Sequence, residues 1–105
     1  MPPPTDRMTR LQAMLSEEPN DPELRYFLAM EYLSAGDEPA SIAQLRDLTN
    51  GSTFVPAFLQ AGQILNRAGQ TTEACEILRK GISLARQQKN DHAHGEMQGL
   101  LDSIE

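Results

Sequence analysis

Residue types that favour β-strands are scarce in this chain of 105 residues. It has no tryptophan, 5% aromatic residues and a single valine, Val55. Strands are enriched in β-branched and aromatic side chains, so a sheet is not expected. Ala, Leu, Glu, Gln, Met and Arg are abundant instead, and these residues are good helix formers. The composition predicts an all-α protein.

Cysteine and long apolar runs are also lacking. The one cysteine, Cys75, cannot form a disulfide within the chain. The first seven residues lack the apolar run of a secretory signal, and no stretch approaches the ~20 apolar residues of a membrane helix. We therefore expect a cytoplasmic protein that makes no membrane contact.

Three consecutive prolines, Pro2 to Pro4, predict a disordered lead-in over residues 1–5.

Positive charge is scarce as well. The chain has 9 Lys or Arg against 15 Asp or Glu, a formal net charge of −6. Nucleic-acid binding requires clustered basic residues, so this class of partner is not expected. Residues 1–53 hold nine acidic residues and four arginines, whereas residues 54–105 hold six acidic and five basic residues. The more acidic first half favours a partner with basic residues.

Apolar residues recur at helical spacing in six segments separated by Gly, Pro, Asn and Asp. The predicted helices cover residues 6–18, 22–35, 38–48, 55–68, 72–88 and 91–104. Asp21 and Pro22 form a favourable N-cap and first-turn pair, Asp91 is the expected N-cap of the last helix, and Asn50-Gly51 predicts a turn after the third. The first helix is expected to bury one apolar face, formed by Met8, Leu11, Met14 and Leu15.

The middle of the chain is self-similar at an offset of 33 residues. The matched pairs are Leu28 with Ala61, Ala29 with Gly62, Tyr32 with Leu65, Gly36 with Gly69, Ser41 with Ala74, Leu45 with Leu78 and Leu48 with Gly81. An offset kept across two helices and a turn indicates an internal repeat of a helix pair.

These residues resemble the tetratricopeptide motif, a pair of antiparallel helices. The resemblance covers about residues 8–88, and it implies one domain over residues 6–105 with repeats at about 22–54 and 55–88. The first helix resembles the second half of an upstream repeat, and residues 91–104 serve as a cap. The bulky aromatic residue that the motif has early in each pair is Phe58 in the second repeat. Arg25 takes its place in the first, where Phe27 is expected to fill the role.

Small residues have a structural task in this motif. Ala29, Gly62 and Ala74 are expected where two helices cross, since a larger side chain there would hold the backbones apart. Gly36 and Gly69 are expected to end helices in the left-handed conformation.

In tetratricopeptide arrays, the first helix of each pair lines a concave groove. By matched position, the resemblance places these residues on the groove: Glu23, Tyr26, Met30, Leu33, Ser34, Leu59, Gln63, Asn66 and Arg67. Tyr26, Met30 and Leu33 are four and three residues apart and form one apolar ridge. We expect the ridge and Leu59 to anchor a peptide or helix of a partner protein. Gln63, Asn66 and Arg67 would orient the partner, and Glu23 and Glu31 would favour its Lys or Arg residues.

Two interpretations of the ridge stay open at this point. The first or last helix, or the proline lead-in, could cover it and make it part of the core. Alternatively, it is an exposed anchor surface, used either for a partner or for homodimerisation. Clamping of the C-terminal carboxylates of heat-shock chaperones needs Lys, Asn and Arg where this chain has Tyr26, Met30, Pro56 and Gln60, so that ligand is not expected.

No pattern of residues indicates catalysis, a metal or a cofactor. His92 and His94 are two residues apart and point away from each other on a helix, so only His92 and Glu96 could share an ion, and zinc needs more ligands. Cys75 lies in a packing stripe and is expected to be an inert buried thiol. We therefore predict an adaptor and not an enzyme, with recognition on the ridge and not on the histidine-bearing turn.

Overall fold

The computed structural model describes residues 4–105, which form six α-helices and no strand. The helices are α1 (Asp6–Glu17), α2 (Pro22–Ser34), α3 (Glu38–Gly51), α4 (Val55–Arg67), α5 (Thr71–Gln87) and α6 (Asp91–Ile104). The predicted all-α class is thus confirmed. Of the predicted lead-in, residues 1–3 lie outside the described residues. Thr5, which was included in it, caps α1 by accepting a hydrogen bond from the Met8 amide at 3.0 Å.

The end of α3 differs from the prediction. Asn50-Gly51 was expected to form a turn, but the helix continues to Gly51. The buried Thr49 hydroxyl donates to the Leu45 carbonyl at 3.0 Å, and the Ser52 amide donates to the Leu48 carbonyl at 2.9 Å. Burial of Leu48 and Thr49 on the inner side of the helix keeps this last turn helical. Tertiary packing therefore overrides the local turn preference of Asn-Gly.

Several helices have an N-cap residue whose side chain accepts hydrogen bonds from amides of the first turn. The Asp21 carboxylate accepts from the Glu23 amide at 2.9 Å and from the Leu24 amide at 3.2 Å, with Pro22 in the first turn, which confirms the predicted cap of α2. The cap of α6 is Asn90, whose side chain accepts from the Ala93 amide at 3.1 Å. The prediction had placed this cap one residue later, at Asp91.

Two glycines end helices as expected. Gly36 and Gly69 both have a φ of 83°, a left-handed conformation that costs glycine little. In each case the next amide reaches back to close the helix, from Asp37 to the Tyr32 carbonyl at 2.9 Å and from Gln70 to the Leu65 carbonyl at 2.8 Å. Both matched turns of the repeat therefore have the same geometry.

The chain forms two compact units, Met1–Ser52 and Thr53–Glu105. In the first unit, α2 packs against both α1 and α3. Its α1–α2 core consists of buried Met8, Leu11 and Leu28, with half-buried Leu15, Leu24, Tyr32 and Ala35 packed on them. Met14, which was expected on the same face, is 51% exposed. It is rotated about 100° from Leu15 around the helix axis, which places it beyond the edge of the buried stripe.

The second unit contains α4, α5 and α6, and its small residues lie at close helix contacts. A Cβ atom added to Gly62 would lie 2.5 Å from Leu78 Cδ2, so α4 and α5 approach too closely for any side chain. A Cβ atom at Gly81 would lie 2.5 Å from Met97 Sδ and 2.6 Å from Phe58 Cβ. Ala74 is fully buried, as is Ala29 in the first unit. The predicted role of these small residues in helix packing is confirmed.

Candidate functional site

The apolar ridge of α2 is only partly covered. Tyr26, Met30 and Leu33 are all half-buried. This finding lies between the two interpretations of the sequence, because the ridge is neither a closed part of the core nor a fully exposed patch. Each residue leaves part of its apolar surface accessible, and the neighbouring Phe27 is 45% exposed.

Tyr26 and Phe27 form an aromatic pair at one end of this ridge. Their ring centroids are 6.1 Å apart and the rings are inclined by 56°. This distance lies in the range of favourable aromatic contacts. Burial raises the pKa of Tyr26 above the ordinary value of 10.0, because the ionised phenolate is poorly solvated there. The Tyr26 side chain is therefore neutral at neutral pH.

Arg25 replaces the expected aromatic residue, and Phe27 does not take its place. Phe27 is exposed, whereas the Arg25 guanidinium donates to Gln44 Oε1 at 2.9 Å and to the Pro19 carbonyl at 3.2 Å. The prediction for Phe27 was therefore wrong, since a residue two positions after Arg25 points to another side of the helix. Arg25 also lines a cleft of about 420 Å³ in the first unit, with Asp47 4.0 Å from its guanidinium. Arg25 is thus held by Gln44 and the Pro19 carbonyl within the first unit.

Glu31 also has interaction partners within the first unit. Its carboxylate accepts a hydrogen bond from Thr5 Oγ1 at 3.2 Å and pairs with Arg7 at 3.6 Å. Only 16% of the Glu31 side chain is exposed. Glu31 therefore ties the start of α1 to α2, and it is not available to attract a basic partner as the sequence had led us to expect. Glu23 is exposed.

The second unit contains a small groove between the first turns of α4 and α6, which we call the α4–α6 groove. Its volume is about 210 Å³. It is lined by Val55, Pro56 and Leu59 on the α4 side, and by Asn90, His92, Ala93 and Glu96 on the α6 side. Leu59 is half-buried in this wall. The other predicted residues of α4 do not line the groove. Gln63 and Arg67 are exposed, and Asn66 is half-buried.

The rim of this groove carries a contact between His92 and Glu96, two residues that were not among the predicted binding residues. His92 Nε2 contacts Glu96 Oε1 across one turn of α6. The side chain of His92 is 87% exposed and that of Glu96 is 44% exposed. Leu59, which was predicted as an anchor apart from the histidine-bearing turn, lines the same groove as His92. Residues so distant in sequence gave no signal of this proximity.

Chemically reactive residues are dispersed. Cys75 is buried, as predicted. Among residues 4–105, no three His, Cys, Asp or Glu side chains come together in a way that could hold a metal ion. Each of the six helices in residues 4–105 is too short or too polar to span a bilayer.

The fold is shared with solved structures. The chain superimposes on the crystal structure of a tetratricopeptide repeat domain protein from Salinibacter ruber with a TM-score of 0.75 at 23% identity, covering 81% of this chain and 96% of that one. The solution structure of the tetratricopeptide repeat domain protein from that organism gives 0.75 at 24% identity, with coverages of 82% and 88%. A Bordetella parapertussis protein gives 0.75 at 24% identity, with coverages of 96% and 89%.

The class of structure follows from these comparisons. The chain has the helical-repeat fold of tetratricopeptide repeat domains, which confirms the predicted resemblance at the level of the fold. No family model matches the sequence, and no curated protein matches it. The fold alone does not assign a function, which depends on the surfaces of the two units.

Proposed function

We propose that this protein is a protein–protein interaction module, an adaptor that binds a peptide or helix of a partner protein. The observation that carries the proposal is the α4–α6 groove, a concave surface in which Leu59 is left half-buried between apolar neighbours. Apolar surface bordered by polar groups is typical of sites that bind peptides. The half-buried ridge of α2 is the second anchor surface.

Each predicted binding residue has a role in this proposal. The apolar anchors are Tyr26, Met30, Leu33 and Leu59, and the polar groups that orient the partner are Gln63, Asn66 and Arg67. The adaptor performs no catalysis and needs no metal or cofactor. It acts in the cytoplasm, where a buried, unpaired thiol such as Cys75 is ordinary. With small anchor surfaces, its affinity for a single peptide is about micromolar.

Affinity capture from a native lysate tests the two anchor surfaces. The wild type is compared with Tyr26→Ala/Met30→Ala and with Leu59→Ala, and captured proteins are quantified by mass spectrometry. We expect one set of proteins to be retained by the wild type and depleted at least threefold in one or both variants. Glu76→Ala is the control, because Glu76 is exposed on α5 and does not line the groove. Equal retention by all four proteins would contradict the proposal.

Homodimerisation through the same apolar surface is the other outcome. Sedimentation equilibrium at increasing protein concentration distinguishes the two functions. An adaptor stays monomeric over this range, whereas self-association raises the apparent mass towards that of a dimer. If Leu59→Ala or Tyr26→Ala/Met30→Ala returned a dimer to monomer, the apolar surface would be assigned to the homodimer.

A further inference from the structure

We propose that the α4–α6 groove binds an aliphatic side chain of the partner together with a neighbouring Lys or Arg, whose charge is recognised by Glu96. This inference rests on the proposed function and names the chemistry of its ligand. In this proposal His92 holds the Glu96 carboxylate in the unbound protein and leaves it when the ligand cation arrives.

The interior of the groove determines the first part of the ligand. Val55, which is 3% exposed, lines the groove together with the apolar side chains of Pro56, Leu59 and Ala93. No Lys or Arg lines the groove. Its volume of about 210 Å³ exceeds the ~150 Å³ in which an apolar protein cavity can hold a benzene ring. One aliphatic side chain therefore fits there and removes apolar surface of both partners from water.

The rim of the groove determines the second part of the ligand, its basic residue. Glu96 is the acidic residue among the lining residues, and His92 is the titratable group beside it. A carboxylate that borders apolar surface is less well screened than one surrounded by water, so it attracts a cation more strongly. In an extended peptide, residues two apart lie on the same side. A basic residue near the aliphatic one can then reach Glu96 while the aliphatic side chain occupies the groove.

The helix N-termini at the groove do not change its preference for a basic ligand residue. The first turns of helices attract anions through their free amides. At the start of α4, however, Pro56 has no N–H group to donate, and the Ala57 amide donates to the Phe54 carbonyl at 3.1 Å. At the start of α6, the Ala93 amide already donates to Asn90. The ionised side chain at the rim therefore decides the preferred charge of the ligand.

His92 has the geometry of a competitor that can be displaced. Its imidazole contacts the carboxylate of Glu96, four residues along α6. Because 87% of the side chain is exposed, it can change rotamer on the nanosecond timescale without moving the helix. The Lys or Arg of the ligand takes the place of His92 beside Glu96. It is held there because the neighbouring aliphatic side chain of the ligand is bound in the groove. Removing His92 should therefore strengthen binding, and removing the Glu96 charge should weaken it.

The test selects ligands without assuming a partner. A library of random twelve-residue peptides is displayed and selected on the full-length wild type, and peptides that lose binding to Leu59→Ala are kept. We expect these peptides to share an aliphatic residue with Lys or Arg two positions away. One such peptide is then synthesised, together with a copy in which the basic residue is glutamine, and affinities are measured by fluorescence anisotropy.

Four variants measure the charge contribution. We expect Glu96→Gln to weaken binding of the basic peptide about threefold and to remove its advantage over the glutamine copy, as for a partly exposed ion pair. We expect His92→Ala to strengthen binding of the basic peptide. Glu76→Gln and His94→Ala are the matched controls, since neither residue lines the groove, and both should leave the affinity within twofold of the wild type.

The outcomes separate this inference from the proposed function. Selected peptides that depend on Leu59 but lack basic residues, or carry acidic ones, would overturn the inference and leave an interaction module. The same holds if Glu96→Gln bound the basic peptide as tightly as the wild type. If no selected peptide depended on Leu59, the groove would not be a binding site, and the proposed function would lose its main support.

Discussion

Ser41 is a buried polar residue whose hydroxyl oxygen has no hydrogen-bond partner among the described residues. It lies at the start of α3, and the matched residue in the repeat is Ala74, which is also fully buried. We predict that Ser41→Ala raises the free energy of unfolding by about 1 kcal/mol, because it removes the desolvation cost of an unsatisfied hydroxyl. Urea denaturation followed by circular dichroism measures this change. The reverse substitution, Ala74→Ser, is the control and should lower stability; a destabilised Ser41→Ala would show that the hydroxyl is satisfied in solution.

Tyr26 links the ridge to the pH dependence of stability. Its pKa is raised in the folded protein, so above the ordinary value the folded chain retains a proton that the unfolded chain has lost. Stability from this group is fully present below the unfolded pKa and decreases as pH rises through the folded pKa. We predict that the wild type loses more stability than Tyr26→Phe between about pH 9 and pH 11. Urea midpoints measured across this range test the prediction, and parallel curves for the two proteins would contradict it.

At the scale of helices, the two repeats differ in how their second helices begin. Asp37 caps α3 by accepting from the Ala40 amide at 3.2 Å, whereas Gln70, in a similar backbone conformation, makes no side-chain cap for α5. We predict that Gln70→Asp stabilises the protein by about 0.5–1 kcal/mol, the usual value of such a cap. Thermal and urea unfolding measure the gain. Asp37→Gln is the matched control and should lose a similar amount; no change in either variant would mean that these caps are replaced by water.

Packing between helices, and not local preference, determines which apolar side chains of a helix are buried. The periodicity predicted which helices exist, and it placed Leu28, Leu45 and Leu78 correctly inside. It was wrong for Met14, because a residue at the edge of a stripe is buried only if a neighbouring helix reaches it. The half-burial of Tyr26, Met30 and Leu33 could not be read from their spacing for the same reason.

For the molecule as a whole, α6 completes the second unit. Its buried residues are Met97 and Leu101, and Met97 packs against Gly81 of α5. We predict that truncation after Lys89 lowers the melting temperature and broadens the transition, because it exposes the surface of α5 around Gly81 that Met97 covers. Calorimetry and sedimentation velocity measure both effects. Gly99→Ala in the full chain is a control, since a Cβ atom there meets no neighbour; a truncated monomer that melts as sharply as the full chain would show that α6 is not a cap.

The sequence by itself determined the helical class, the six helices and the turns at Gly36 and Gly69. These features depend on local chemistry and on a repeated pattern, both of which are written in adjacent residues. Tertiary structure alone decided that α3 continues to Gly51, that Arg25 bonds to Gln44, and that Leu59 shares a groove with His92 and Glu96. These residues are separated by up to 37 positions in the chain, taking Leu59 and Glu96 as the farthest pair. Only the packing of α6 beside α4 brings them together, and no pattern within one helix records that contact.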